Sequence, residues 1–515
     1  MKSDPVNTVS NKDDQSEKSL GSRTLNGLFW MFSGTIVQAV LRILILAILA
    51  RLLTPQDYGL VGAALVVVNF SQIFSQFGMA SALIQRPQLE ERHLRTALTI
   101  FTISGLLIGG AIAVSAPLIA SFFQMDNLTP ILWVAALAFP LIGLIAAPTA
   151  LLRRKLQFRL LAAINVVTYV GGYGVIGIIL AWLGFGAWAL VGASLAQSII
   201  NLIILLFVQP YPKKPQIDRE AFRELVYFSG GFTLDDITNY IAVNGDNVIV
   251  GRGLGAEALG FYGRAYQLLV FPVSLFGNVI DQVLFPSMAK VQGNVDQLSL
   301  VYRRGMTLTA LFYLPLSAAA IVLAPEIISV VLGSTWGEVV LPFQILAAGM
   351  LFRASKINNA TVAKATGDVY KRAWRQGLYA LFVLIGALVG QNWGITGVAI
   401  GVFIALAIYF TLMAQLTLSL LSMSWRDLLI ICQPALLVTI ITLAQIWLVS
   451  TVLRNLAMPP VVVLLGSCLI TGIGLLILGY LNPQFLLGQD GLWALQRCMG
   501  YVAKRTKIFG TTEVR

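Results

Sequence analysis

Charge is what this 515-residue chain has least of: only 11% of its residues are Asp, Glu, Lys or Arg, against roughly 25% in soluble globular chains. That supply cannot cover the surface of so long a chain, so a water-soluble enzyme is excluded. Histidine is limited to His93, which leaves enzyme chemistry thinly supplied, and its place in a basic loop predicts a solvated surface residue. Cys432, Cys468 and Cys498 are odd in number and widely spaced, so neither a disulfide framework nor a zinc site follows. A phosphate-cradling Gly-Lys loop is also missing, which leaves ATP-driven transport by this chain unsupported. The polar stretch Met1 to Ser22 lacks the apolar core and cleavage site of a signal peptide and is expected to persist as a disordered tail.

What the chain has in abundance is apolar length. Hydrophobic residues make up 57%, and 35 Lys and Arg stand against 23 Asp and Glu, a net charge of +12. Lipid is therefore the expected solvent, and the positive excess reads as the Lys/Arg bias of membrane-protein loops rather than as a nucleic-acid footprint. Runs of the roughly 20 apolar residues that cross a bilayer recur about fourteen times, at 25–50, 58–84, 96–123, 128–150, 160–183, 187–208, 225–250, 260–287, 306–332, 338–362, 376–391, 394–420, 428–452 and 459–481. The first carries Arg42, the seventh is interrupted by Gly230, Gly231 and several acids, and the tenth contains Arg353 and Lys356.

The positive charges test that count, because short cytoplasmic loops retain Lys and Arg while translocated loops lack them. With a cytoplasmic N-terminus, one side collects Arg86, Arg92 and Arg95; Arg153, Arg154, Lys155 and Arg159; Lys213, Lys214, Arg219 and Arg223; Lys290, Arg303 and Arg304; Lys364, Lys371, Arg372 and Arg375; Arg426; and the basic C-terminal tail. The opposite loops hold only Arg51, Arg252 and Arg454. A missed or invented helix would put later clusters on the wrong side, so fourteen spans with both termini cytoplasmic fit best. These clustered cations read as topological markers without substrate information.

A duplication relates the two halves. Arg51-Leu52-Leu53-Thr54-Pro55-Gln56-Asp57-Tyr58-Gly59 aligns without gaps on Arg252-Gly253-Leu254-Gly255-Ala256-Glu257-Ala258-Leu259-Gly260. A weaker echo pairs Gly186 to Gly192 with Gly394 to Gly401. Spans one and seven run the same way, so an axis along the membrane normal would relate the copies. An all-α polytopic membrane protein is expected, with two pseudo-symmetric six-helix lobes separated by a cleft. Its parts would be a tail (1–22), an N-lobe (23–208), a cytoplasmic linker (209–224), a C-lobe (225–420), an appended helix pair (421–481) and a basic tail (482–515).

Ionised or strongly polar side chains at membrane depth normally face a bundle interior or a wet cavity. Thr35, Gln38 and Arg42 form a stripe on span one, and Asn69, Gln72 and Gln76 form one on span two. Span seven places Asp235, Asn239 and Asp246 on one face, with Asp236 beside them; span eight adds Arg264, Gln267, Asn278 and Asp281, and span ten Arg353, Lys356 and Asn359. The burden falls on the two helix pairs that the repeat relates, which points to a central hydrophilic cavity. Structural pairing of Arg42 with Asp235, or snorkelling of Arg264, Arg353 and Lys356 to an interface, is the plainer alternative. Leu234-Asp235-Asp236 also resembles a metal-binding acid pair of a transferase, but it sits inside a helix, and the outside loops are too short to house such chemistry.

The span-one exit Ala50 to Gly59, the segments Phe77-Gly78-Met79 and Ala82-Leu83-Ile84-Gln85, the loop Leu151 to Arg159 and Phe228-Ser229-Gly230-Gly231 resemble bacterial Wzx-type polysaccharide-unit flippases, which are colanic-acid-exporter-like. The resemblance covers about residues 20–480. It implies a MATE-like fold of the multidrug, oligosaccharidyl-lipid and polysaccharide exporter superfamily, placed in a bacterial inner membrane and working by alternating access. It also implies an undecaprenyl-diphosphate-linked oligosaccharide as substrate, no cofactor, and a polysaccharide polymerase or export machinery as possible partner. On that reading Arg42, Arg51, Arg252 and Arg264 attract the diphosphate, while Gln38, Gln72, Gln76, Gln267, Asn239 and Asn278 bond sugar hydroxyls. Asp235, Asp236, Asp246 or Asp281 would exchange a coupling H+ or Na+. A lipid II or drug/cation exporter of the same superfamily, or a membrane glycosyltransferase or polymerase, are the rival readings.

Overall fold

The computed structural model describes residues 38–75, 83, 89–209, 216–220, 222–223, 233–291, 293–484, 486–493 and 496. Within them the side chains of 75, 233–236, 275, 278–287, 289–290 and 369 fall outside the description. Every regular element among the described residues is helical, as lipid requires of a chain that must satisfy each backbone group internally. Nine of these helices are long and apolar enough to cross a membrane, and ten if the pair Ser334–Ala348 and Met350–Ala365, bent by 41°, is one span. The chain is a multi-pass membrane protein, and it divides into two compact units, Met1–Ile237 and Thr238–Arg515.

In the first unit, α1 covers residues 38–52 and α2 Pro55–Ser75. Thr54 ends the break between them: Asp57 Oδ2 accepts from the Thr54 amide at 2.9 Å and hydroxyl at 2.7 Å, while Thr54 Oγ1 accepts from the Asp57 amide at 3.2 Å, a reciprocal cap for the new helix. Next come α3 (Glu91–Phe123), α4 (Leu128–Ala136), α5 (Ala138–Arg154) and α6 (Phe158–Thr168). A π-helical stretch, Tyr169–Ile176, continues α6 into α7 (Gly177–Trp182), and α8 (Ala187–Val208) follows. His93 departs from expectation: it is fully buried, and its Nδ1 accepts the Glu90 amide at 3.2 Å. It caps α3 instead of facing water.

The second unit opens within α9 (Thr233–Lys290), which cannot be one rod. Gly255 has φ 88°, a value that only glycine adopts without strain, and Tyr262 donates to Asp246, sixteen residues away, over 2.7 Å. In a straight helix those residues would stand about 24 Å apart, so α9 is two antiparallel legs turning at Gly255. This break aligns with Thr54 in the repeat. The weaker echo also lands on matching turns, since Gly186 (φ 53°) and Gly394 (φ 68°) each open a helix in a conformation favouring glycine.

Beyond it lie α10 (Val295–Val322), α11 (Ala324–Val331), α12 (Val340–Ala348), α13 (Met350–Ala365), α14 (Val369–Gly390), α15 (Gly394–Leu420), α16 (Trp425–Asn455) and α17 (Pro460–Leu481). Each predicted apolar run, where described, is helical but for short breaks. Because lipid is as apolar as leucine, helix association here rests on close fit rather than on escape from water. Thus α14 and α15 form a hairpin in which a Cβ added to Gly386 would stand 2.8 Å from the Gly401 carbonyl oxygen, and one on Gly390 would overlap Gly397. In the first unit, a Cβ on Gly105 would stand 2.5 Å from the Phe139 carbonyl oxygen, which brings α3 against α5. The start of α16 packs Leu428, Ile431 and Ala435 on Leu298, Tyr302 and Met306 of α10.

Several polar contacts join segments that the positive charges assign to one membrane face. Arg92 pairs with Glu220 at 2.8 Å, Lys155 Nζ donates to Gln209 at 2.9 Å, and Arg303 lies 3.6 Å from Asp490. All six residues belong to segments expected on the cytoplasmic side.

Candidate functional site

In the first unit, α1 carries Gln38 and Arg42 one turn apart on one face. Gln38 lines a cavity of about 510 Å³ with Thr149 and Arg153 of α5, Phe158 and Asn165 of α6, and Asn201 of α8. The Arg42 guanidinium lies 5.4 Å from the centroid of the Tyr169 ring, within cation–π range. Tyr169 stacks on Tyr173 at 5.3 Å with planes 12° apart. Both tyrosines sit on the π-helical stretch, a feature that tends to mark functional positions. Gly172 in that stretch lies against the backbone of Gln197, where a Cβ has no room.

In the second unit, the polar side chains divide into two groups. Asp246 is buried; its Oδ2 accepts from Tyr262 Oη at 2.7 Å, and its Oδ1 accepts from the Asn247 amide at 2.9 Å. One turn beyond Tyr262, Tyr266 accepts from Arg353 Nη1 at 2.6 Å, and the same guanidinium lies 4.7 Å over the Tyr266 ring. The second group centres on Asn239, whose Oδ1 accepts from Lys356 Nζ at 2.8 Å and from Gln376 at 3.5 Å. Gln376 in turn accepts from Tyr409 Oη at 2.9 Å. The Lys356 ammonium stands 5.7 Å from the Tyr379 ring and 5.8 Å from Tyr409, so two aromatic faces and a carboxamide surround part of it.

The structure thus gathers Gln38 and Arg42 in one unit, and Asn239, Asp246, Arg353 and Lys356 in the other. Asn239 and Asp246, seven residues apart on the unbroken first leg of α9, share a face by helical spacing and engage different neighbours two turns apart along it. Arg353 and Lys356 are both turned to partners on other helices. Arg51 and Arg252 are exposed at the turns that close α1 and the first leg of α9, Gln267 is exposed on the second leg, and Arg264 and Gln72 are half-buried. Gln76 lies outside the described residues, as do the side chains of Asp235, Asp236, Asn278 and Asp281. Sequence reading missed Tyr262, Tyr266, Gln376, Tyr379 and Tyr409; the spacing of Tyr262 and Tyr266 at i, i+4 was the one available signal.

Residues 48–341 match the family described as polysaccharide biosynthesis protein. The lipopolysaccharide biosynthesis protein WzxC of Escherichia coli (strain K12) is 24% identical over 388 residues, covering 74% of this chain and 78% of that protein. Among solved structures, the lipid II flippase MurJ in an inward closed conformation superposes with a TM-score of 0.70 at 14% identity, covering 88% of this chain and 99% of that one. An inward-facing multidrug resistance MATE family transporter gives 0.60 at 16% identity, covering 77% and 99%. At these identities the likeness is one of fold, and the fold is of the MurJ and MATE kind.

Proposed function

Because the chain belongs to the polysaccharide biosynthesis protein family, we propose that it is a flippase. It carries a polyprenyl-diphosphate-linked oligosaccharide from the cytoplasmic to the outer leaflet of a bacterial inner membrane, by alternating access and without chemical change. The carrying observation is that a family of polysaccharide biosynthesis here takes a transporter fold whose apolar helices hold cations against aromatic and carboxamide groups. Such groups suit a diphosphate followed by sugar rings. WzxC, named for lipopolysaccharide biosynthesis, supports the same substrate class.

Within this reading, the chain crosses fourteen times with both termini cytoplasmic, the lobes span 23–208 and 225–420, and 209–224 links them. Arg42 and Gln38 contact the cargo, joined by Gln72, Arg51, Arg252 and Arg264 and by Gln76, Gln267 and Asn278. Asp246 is the described acid for exchange of a coupling H+ or Na+, with Asp235, Asp236 and Asp281 as further members of that set, and a polymerase receives the product.

The test is movement of a labelled polyprenyl-diphosphate oligosaccharide between leaflets of proteoliposomes holding the purified chain, with lipid II assayed in parallel. Movement lost in Arg42→Ala, with the protein still inserted, is the expected result. Transfer of the sugar to an acceptor without movement would replace the flippase with an enzyme. Preference for lipid II would change the cargo.

A further inference from the structure

Three consecutive cations close α5 at its basic end, and the structure gives them different duties. Arg154 donates to the Leu83 carbonyl at 3.2 Å, and Lys155 donates to the Gln209 side chain at 2.9 Å. Arg153 instead lines the cavity of the first unit, one turn from Thr149 on the same face of α5. It lies in the last turn of α5, close to the first residue of α6, Phe158, so the cation marks the end of the cavity nearest the basic loops. The carboxamides of Gln38, Asn165 and Asn201 line the same space. Asn165 is also one turn before Tyr169, which continues the polar wall into the Tyr169–Tyr173 stack beneath Arg42.

We propose that this cavity is a loading site for a diphosphate-linked sugar, in which Arg153 holds the diphosphate and Gln38, Asn165 and Asn201 bond the sugar hydroxyls. The proposal rests on the flippase reading and adds to it a place and a residue otherwise assigned only to topology. A guanidinium presents two parallel donors to phosphate oxygens, and a carboxamide offers both a donor and an acceptor to a hydroxyl. The volume of about 510 Å³ falls in the roughly 300–1,000 Å³ range of small-ligand sites. A headgroup anchored by its lipid stays at the level of the basic loops, where Arg153 stands, while its sugar reaches inward. The same chemistry is found in soluble nucleotide sugars, so the source must be separated by experiment.

Binding to the full chain in nanodiscs is measured with three probes: geranyl-diphosphate-N-acetylglucosamine, geranyl diphosphate, and uridine-diphosphate-N-acetylglucosamine. Arg153→Gln is expected to weaken both geranyl probes by about tenfold or more, with partial recovery in Arg153→Lys. The double variant Asn165→Leu/Asn201→Leu is expected to weaken the sugar-bearing probe and leave geranyl diphosphate unchanged. Arg153 is exposed, and matched melting midpoints verify that the variants are folded. Wild-type affinity in both variants overturns the site, as does failure of the wild-type chain to bind the sugar-bearing probe. Tighter binding of the uridine compound overturns the lipid source. If the wild-type chain moves lipid-linked sugar and the variants bind and move it unchanged, the site falls and the flippase stands. If the wild-type chain moves none, the flippase reading falls, whatever the binding result.

Discussion

Lys356 reaches from α13 to the first leg of α9, where its ammonium donates to Asn239 Oδ1 over 2.8 Å. Tyr379 of α14 and Tyr409 of α15 supply ring faces to the same cation, so one charge ties four helical segments. A double-mutant cycle between Lys356→Met and Asn239→Leu, read by thermal unfolding in detergent, should give a coupling of about 1 kcal/mol. Effects that add within about 0.3 kcal/mol would mean the pair contributes nothing jointly.

Asp246 and Tyr262 hold the two legs of α9 together next to the Gly255 turn. If Asp246 exchanges the coupling ion, Asp246→Asn should abolish gradient-driven movement of cargo while leaving exchange of labelled for unlabelled cargo at equilibrium. Tyr262→Phe should keep both and lower stability by about 1–2 kcal/mol, the cost of leaving a buried acceptor short of one donor. Equal loss of driven movement and exchange in Asp246→Asn would assign the acid to the geometry of the turn instead.

The α14–α15 hairpin depends on glycine where the backbones touch. Gly390→Val places a branched side chain against the Gly397 carbonyl, and the melting midpoint should fall by the equivalent of about 3 kcal/mol. Gly377, on the same α14, has open space around its Cβ position. Gly377→Ala should therefore hold or raise stability by up to about 1 kcal/mol through helix propensity. A similar fall in both variants would remove the close approach as the cause.

Much of this architecture is legible in the sequence because lipid leaves few choices: an apolar run must be a helix, and its ends are marked by glycine and by Lys or Arg. Gly255 and Gly394 could be read as turns for that reason. The folding of α9 onto itself was legible as well, since 225–250 and 260–287 read as separate spans joined by a loop carrying Arg252; the bond from Tyr262 of one leg to Asp246 of the other was not. Arg353 and Lys356 were visible as charges, but their partners lie 87 and 117 residues away in sequence, and a tyrosine in an apolar helix looks like any core aromatic. Asn165 has only Thr168 beside it on one face, and Asn201 ends a Ser194, Gln197, Asn201 stripe that carries no charge to draw notice. Only the meeting of α1, α5, α6 and α8 makes them one wall. His93 misled because a capping histidine and a loop histidine have the same flanking residues.

Arg454 and Glu326 fix the end of α16 to the junction of α10 and α11. Arg454 Nε donates to Glu326 Oε1 at 2.7 Å and Nη2 to Oε2 at 2.8 Å, and Nη2 also reaches the Val322 carbonyl at 2.9 Å. Glu326 is 6% exposed, so removing its cation strands a carboxylate, a loss of roughly 3–5 kcal/mol where both partners are buried. The Arg454 side chain is 39% exposed, so water recovers part of that, and Arg454→Ala should cost about 2 kcal/mol in thermal unfolding. Glu326→Gln/Arg454→Leu removes both charges together and should be less damaging than Arg454→Ala alone, because no carboxylate is left without its counter-charge. A double variant worse than the single one would show that the pair stabilises the junction by attraction beyond relief of the stranded acid.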